Sequence, residues 1–165
     1  MDRRHVVIDG NNLLFAMREH APLPGVGRET LVKIIDRWAR RGSDDVTLVF
    51  DGAVPHGGLS RQMSSSRIAV RFAAPSSADD VIIGMIESCR RPDLFRVVTA
   101  DGAIGHAARA RRCGHISSPS FVRELFAAPD SGRVDTPSPS EKPERLSPDE
   151  QEEWLRAFDA PDDVL

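Results

Sequence analysis

Three times along this 165-residue chain a short apolar run stops at an aspartate: Val6-Val7-Ile8 at Asp9, Leu48-Val49-Phe50 at Asp51, and Val97-Val98-Thr99-Ala100 at Asp101. Short runs rich in Val, Ile and Phe read as strands, and a glycine follows each aspartate and breaks the run. Helical periodicity then takes over after Asp9 (Leu13, Leu14, Met17) and after Asp101 (Ile104 to Arg112, stopping at Gly114). Strands apolar on both faces and alternating with helices predict an α/β fold with a mostly parallel sheet covered on both sides.

The remaining segments extend the pattern. Leu31, Ile34, Ile35 and Trp38 recur at helical spacing and stop at Gly42, with Arg37, Arg40 and Arg41 in the last turns. Ile68 to Phe72 alternates as a strand, and Ser76-Ser77-Ala78-Asp79-Asp80 supplies a cap and first-turn acids for a helix carrying Val81, Ile82, Met85 and Ile86. His115 to Ser117 reads as a last strand, with Phe121, Leu125 and Phe126 on a final helix. Domain limits follow from composition: a folded unit over 1–128, a Pro, Ser and acid-rich linker over 129–147, and an acidic amphipathic helix over 148–165 with Ser147 as its cap. That helix would dock on the body or on a protein partner through Trp154, Leu155 and Phe158.

Charge divides the same way. Residues 1–126 hold 18 Lys and Arg against 14 Asp and Glu, a balance of +4, and residues 127–165 hold 4 against 11, a balance of −7. Twenty of the 22 basic residues are Arg, a bias that suits phosphate contacts but that a GC-rich genome also produces. The start of the chain is too short in apolar residues for a signal peptide and no stretch is long enough to span a membrane, so the expected location is the cytoplasm. Cys89 and Cys113 lack CxxC or His spacing and read as two reduced thiols.

In a parallel sheet every strand delivers its carboxyl end to one edge, where ligand crevices open. The fold would therefore gather Asp9, Asp51 and Asp101, and Asp79 and Asp80 would join them from a helix start. Each aspartate alone also reads as a helix cap or turn residue. Several acids on one edge repel one another and call for a cation; ligands that are oxygen only suit Mg²⁺ or Mn²⁺, the ions used to cleave phosphate esters. Competing phosphate chemistries lack their residues. The only lysines, Lys33 and Lys142, lie in no Walker loop and at no strand end, and Gly25-Val26-Gly27 lacks the third glycine of a dinucleotide fingerprint.

Four motifs in order, Ile8-Asp9-Gly10-Asn11-Asn12-Leu13, Val49-Phe50-Asp51-Gly52, Ser77-Ala78-Asp79-Asp80 and Val98-Thr99-Ala100-Asp101, resemble the YacP-like family of the NYN branch of PIN-like nucleases. Asn11 stands where that family has a tyrosine, and Gly102 after Asp101 loosens the turn. The resemblance implies a three-layer α/β/α fold with about five mainly parallel strands and cleavage of single-stranded or exposed RNA. One branch of the family acts on messenger RNA at the ribosome, which makes the ribosome an implied partner. By the same resemblance Asp9, Asp79 and Asp101 would bind the metal, supported by Asp80 and Asp51, while Asn12, Thr99 and Ser77 would orient ligands or substrate phosphate. Hydrolysis by such a site leaves a 5′ phosphate and a 3′ hydroxyl and does not need the 2′-hydroxyl.

Candidate phosphate contacts are Arg61, Arg67 and Arg71 near the third strand and Arg109, Arg111 and Arg112 on the helix after Asp101, where 109 and 112 would share a face. His56 and His106 read as surface residues, and nine Phe and Trp with no Tyr give no evident base-stacking platform. The alternatives to an endoribonuclease are an RNA- or ribosome-binding module on the same fold that does not cut, and a small-molecule phosphohydrolase.

Overall fold

Val6, Val7 and Ile8 are inaccessible on both faces of their strand, which therefore needs a neighbour on each side and a helical layer above and below. The computed structural model of the chain describes residues 2–21, 23, 25–55 and 63–127. The expected linker, the acidic C-terminal helix, Arg61 and His56 lie outside the described residues. Among those described, the order is β1 (His5–Asp9), α1 (Gly10–His20), α2 (Arg28–Gly42), β2 (Asp45–Phe50), β3 (Ile68–Phe72), α3 (Ala78–Ser88), a 3₁₀ turn (Pro92–Leu94), β4 (Phe95–Val98), α4 (Gly102–Ala110), β5 (Gly114–Ile116) and α5 (Ser118–Leu125).

These strands form one sheet in the order β3-β2-β1-β4-β5, and every pairing is parallel. In register, His5 and Asp9 of β1 face Asp45 and Val49 of β2, while His5 and Ile8 face Phe95 and Val98 of β4. α1, α2 and α5 cover one side through Leu13, Met17, Leu31, Ile35 and Phe121. On the other side α3 and α4 bury Ile82, Ile86, Ile104 and Ala108 against Val7, Val49 and Val97. The structure thus has the expected α/β class, three layers and five strands. After β1 the chain moves outward to β2 and β3, then crosses back to β4. The reversal makes β1/β4 the switch point, and the crevice beyond that pair is where an open α/β sheet takes a ligand. No described helix is long and apolar enough to cross a membrane.

Several boundaries differ from the sequence reading, each for a local reason. β4 ends at Val98 rather than Ala100, because Thr99 turns the chain by accepting the Asp101 N–H on its hydroxyl at 3.0 Å. α4 then starts at Gly102, two residues early, because the Asp101 carboxylate caps it. It also stops before Arg112, which adopts a left-handed φ of 59°, while Cys113 N–H reaches back to Ala108 O and Arg112 N–H to Arg109 O. Arg109 and Arg112 therefore do not share a helical face. Ser117 caps α5 instead of ending β5, and the left-handed residue closing α2 is Ser43 (φ 57°), not Gly42. Cys89 and Cys113 are free thiols that share a hydrogen bond with their sulfurs 3.7 Å apart.

The three Asp-Gly pairs have different physical causes. A Cβ on Gly10 would lie 2.5 Å from Cε1 of Phe50, so only glycine lets α1 leave β1 over that ring. Gly52 has a positive φ of 91°. Gly102 has open space around its Cβ position and no positive φ. Gly10→Ala should thus lower unfolding free energy by about 1–3 kcal/mol through overpacking, whereas Gly102→Ala should leave it unchanged or raise it by up to about 1 kcal/mol. Urea titration of both variants beside the parent checks the contrast.

Candidate active site

Asp9 is the last residue of the central strand and 6% exposed. Its backbone is extended and its Oδ1 accepts the Asn12 N–H at 3.3 Å, capping α1. Asp101 does the same for α4, accepting from Ala103 and Ile104 N–H at 2.9 and 3.0 Å on one oxygen. The cap and ligand readings are therefore compatible, since capping occupies Oδ1 and leaves Oδ2 of each without a hydrogen bond among the described residues. Asp51 is tied at both oxygens, to Ala78 N–H at 2.8 Å and to the Asn11 amide at 3.4 Å. The first of these bonds joins the end of β2 to the start of α3, which carries Asp79. Ser77 caps α3 by accepting the Asp80 N–H at 3.1 Å.

The electrostatics show which acids meet. Burial pushes the Asp9 carboxyl from its ordinary 3.8 to about 6 against the lowering effect of the Asn12 N–H, with Asp79, Asp51 and Asp101 adding repulsion. Asp79 is raised by burial, then by Asp101, Asp51 and Asp80. Asp79 is among the acids that repel Asp9, and Asp80 in turn repels Asp79. None of Asp9, Asp51, Asp79 and Asp101 forms an ion pair among the described residues.

The remaining predicted residues divide between scaffold and distance. Asn12 Oδ1 accepts from Ala100 N–H at 2.9 Å and from the Ser118 hydroxyl, bolting α1 to the loop that carries Asp101 and to α5. Thr99 is fully buried and shapes that loop. Its carbonyl accepts from His115 Nε2 at 3.1 Å, which leaves Nδ1 to accept from Arg109 at 3.4 Å, so Arg109 braces the β4 end. Arg111 instead donates to the Cys89 carbonyl. Arg67 and Arg71 are not brought to the acids. Arg67 precedes β3 at the opposite edge, 3.8 Å from Asp45, and Arg71 lines a cavity of about 570 Å³ there with His5, Arg90 and Arg91. His106 is exposed, as expected. Sequence reasoning missed Ser118 and His115, whose roles depend on side-chain contacts between distant elements.

The donor set fits a hard divalent cation in chemistry: carboxylate oxygens alone, one of them buried, with no ion-paired cation among the described residues. Among the described residues, however, no three acidic, imidazole or thiol side chains converge closely enough to hold an ion as they stand.

The chain is an α/β domain with acids collected at the switch point of a parallel sheet. It belongs to the YacP-like NYN family, whose profile matches residues 6–159 and so runs past the expected boundary at 128. NYN domains are nucleases that typically use divalent metals, and membership implies a nuclease-type function directed at RNA. The crystal structure of Rae1 (YacP) from Bacillus subtilis is similar over 76% of this chain and 74% of its own, with a TM-score of 0.56 and 20% identity. A point mutant of the same protein gives a TM-score of 0.57 at 20% identity over 74% of each chain. At that identity the likeness speaks for the fold alone. No curated protein matches the chain.

A raised carboxyl pKa carries a defined pH dependence. The unfolded chain releases the Asp9 proton near 3.8 and the folded chain near 6, so the folded state is favoured while both are protonated and loses stability as pH rises from about 4 to about 6. The full difference of about two units corresponds to roughly 3 kcal/mol. Asp9→Asn keeps an Oδ1 for the cap and removes the charge. In EDTA, its stability advantage over the parent should grow across pH 4–6 and level off above; denaturant titrations at pH 4, 5, 6 and 8 measure it.

Proposed function

We propose that this protein is a metal-dependent endoribonuclease, and the observation that carries the reading is the concentration of carboxylates around the buried Asp9 with no ion pair to them among the described residues. A site that raises the pKa of its own central acid is destabilised when empty, and a divalent cation relieves that repulsion. When bound, Mg²⁺ or Mn²⁺ supplies the positive charge and Lewis acidity that activate water and neutralise a scissile phosphate. Asp9, Asp79 and Asp101 would hold it, with Asp51 positioning α3 and Asp80 contributing field from outside. Asn12 acts as a positioning residue, because its amide fixes the loop of Asp101 relative to Asp9. Thr99 shapes that loop from beneath. The substrate on this reading is single-stranded or exposed RNA in the cytoplasm, with the ribosome as the place where it is met and 148–165 as the segment that would engage a protein partner.

Cleavage of end-labelled single-stranded RNA by the purified chain tests it, with Mg²⁺, Mn²⁺ or EDTA. Asp9→Asn, Asp79→Asn and Asp101→Asn should each reduce the metal-dependent rate by two orders of magnitude or more while remaining folded, and Asp80→Asn by less than tenfold. Products should carry a 5′ phosphate. Cleavage that persists in EDTA overturns the metal assignment, and RNA binding without cleavage, with and without ribosomes, identifies a binding module instead.

A further inference from the structure

Beside the acid edge, on the outer surface of α1, lies a groove of about 420 Å³ lined by Asn11, Leu14, Phe15, Arg18 and Arg28. Phe15 is 62% exposed, an unusual position for a phenyl ring on a helix whose other large apolar residues are buried. Asn11, Phe15 and Arg18 follow one another at i, i+4 and i+7, so they stand in a row along one face of α1. Arg28, at the first turn of α2, closes the other wall. Its guanidinium rests over Phe50 at 5.2 Å and Phe72 at 5.9 Å, two rings that stack on each other with centroids 5.8 Å apart. Among the described residues no acid lines this groove, although the carboxylates begin next to it: the Asn11 amide donates to Asp51.

We propose that this groove is a stacking subsite for an unpaired base of the RNA strand, with Phe15 offering its ring face to the base and Arg18 and Arg28 meeting the phosphates on either side. The inference rests on the nuclease reading and deepens it by locating where the strand is held next to the acids. An exposed aromatic between two arginines is the combination that binds single strands without sequence readout: the ring accepts any base and the cations follow the backbone. A duplex offers no free base face, so the subsite selects unpaired RNA.

The test is fluorescence anisotropy of a labelled single-stranded RNA with the full chain carrying Asp9→Asn, so that binding is read without cutting, alongside cleavage by the chain with Asp9 intact. Phe15→Ala should weaken binding at least fivefold, Phe15→Trp should restore it, and Arg18→Ala should weaken it while lowering the slope of log affinity against log salt by about one. Duplex RNA should bind more weakly and be indifferent to Phe15→Ala. Because Phe15 is exposed, both its variants should melt as their parent does. Equal affinity of the Phe15→Ala and Phe15→Trp chains, in a protein that still cleaves RNA with metal, overturns the subsite and leaves the nuclease reading standing. Absence of both cleavage and binding in the parent overturns the nuclease reading and the subsite together.

Discussion

A parallel sheet has a polarity, and everything at the candidate site depends on it. Because β1 lies in the middle and its neighbours run the same way, the ends of β1, β2 and β4 open onto one edge, and the helices that follow β1 and β4 begin there. The edge is electrically unusual. Helix amino termini bring partial positive charge, which favours carboxylates, yet several full negative charges crowd the same space and one of them is buried. The amino termini attract the acids individually, and the acids repel one another collectively.

The structure manages this conflict with shared oxygens. Asp9 and Asp101 each give one oxygen to a helix cap, an interaction typically worth about 1 kcal/mol, and leave the other without a hydrogen bond among the described residues. Asp51 is tied at both oxygens and so fixes α3 relative to the sheet. Asn12, held by Ala100 and Ser118, does the corresponding work between β1 and β4. The crevice is framed by residues that hold the acids in place, and these frame residues are as much part of the site as the acids are.

Much of this was legible in the chain. The ends of β1, β2 and β3, the Ser77 cap and the placing of aspartates after strands follow from periodicity and from residue preferences that act within a few neighbours. Side-chain direction over longer distances was not legible. Arg67 precedes β3 and Arg71 lies on it, yet a long flexible side chain can run toward either edge, and here both lie at the amino end. Arg109 is used to brace His115, a contact between an α4 residue and β5 that no local rule predicts. Phe15 looks in sequence like one more apolar position on α1, because periodicity tells which face a residue occupies and not whether another element covers it. The left-handed conformations of Ser43 and Arg112 were similarly hidden: glycine is the usual residue there, and in both places it stands one or two positions away.

Phe50 connects the two halves of the surface. Its ring fills the space a side chain at position 10 would need, stacks on Phe72 and carries the Arg28 guanidinium. The turn after Asp9 and the wall of the groove beside α1 therefore bear on the same ring. A strand lying across this surface would meet the carboxylates at a set number of nucleotides from the point where it is gripped. On the proposed reading such a surface would measure along a strand, as a ruler does, and would leave the reading of letters to whatever presents the strand to it.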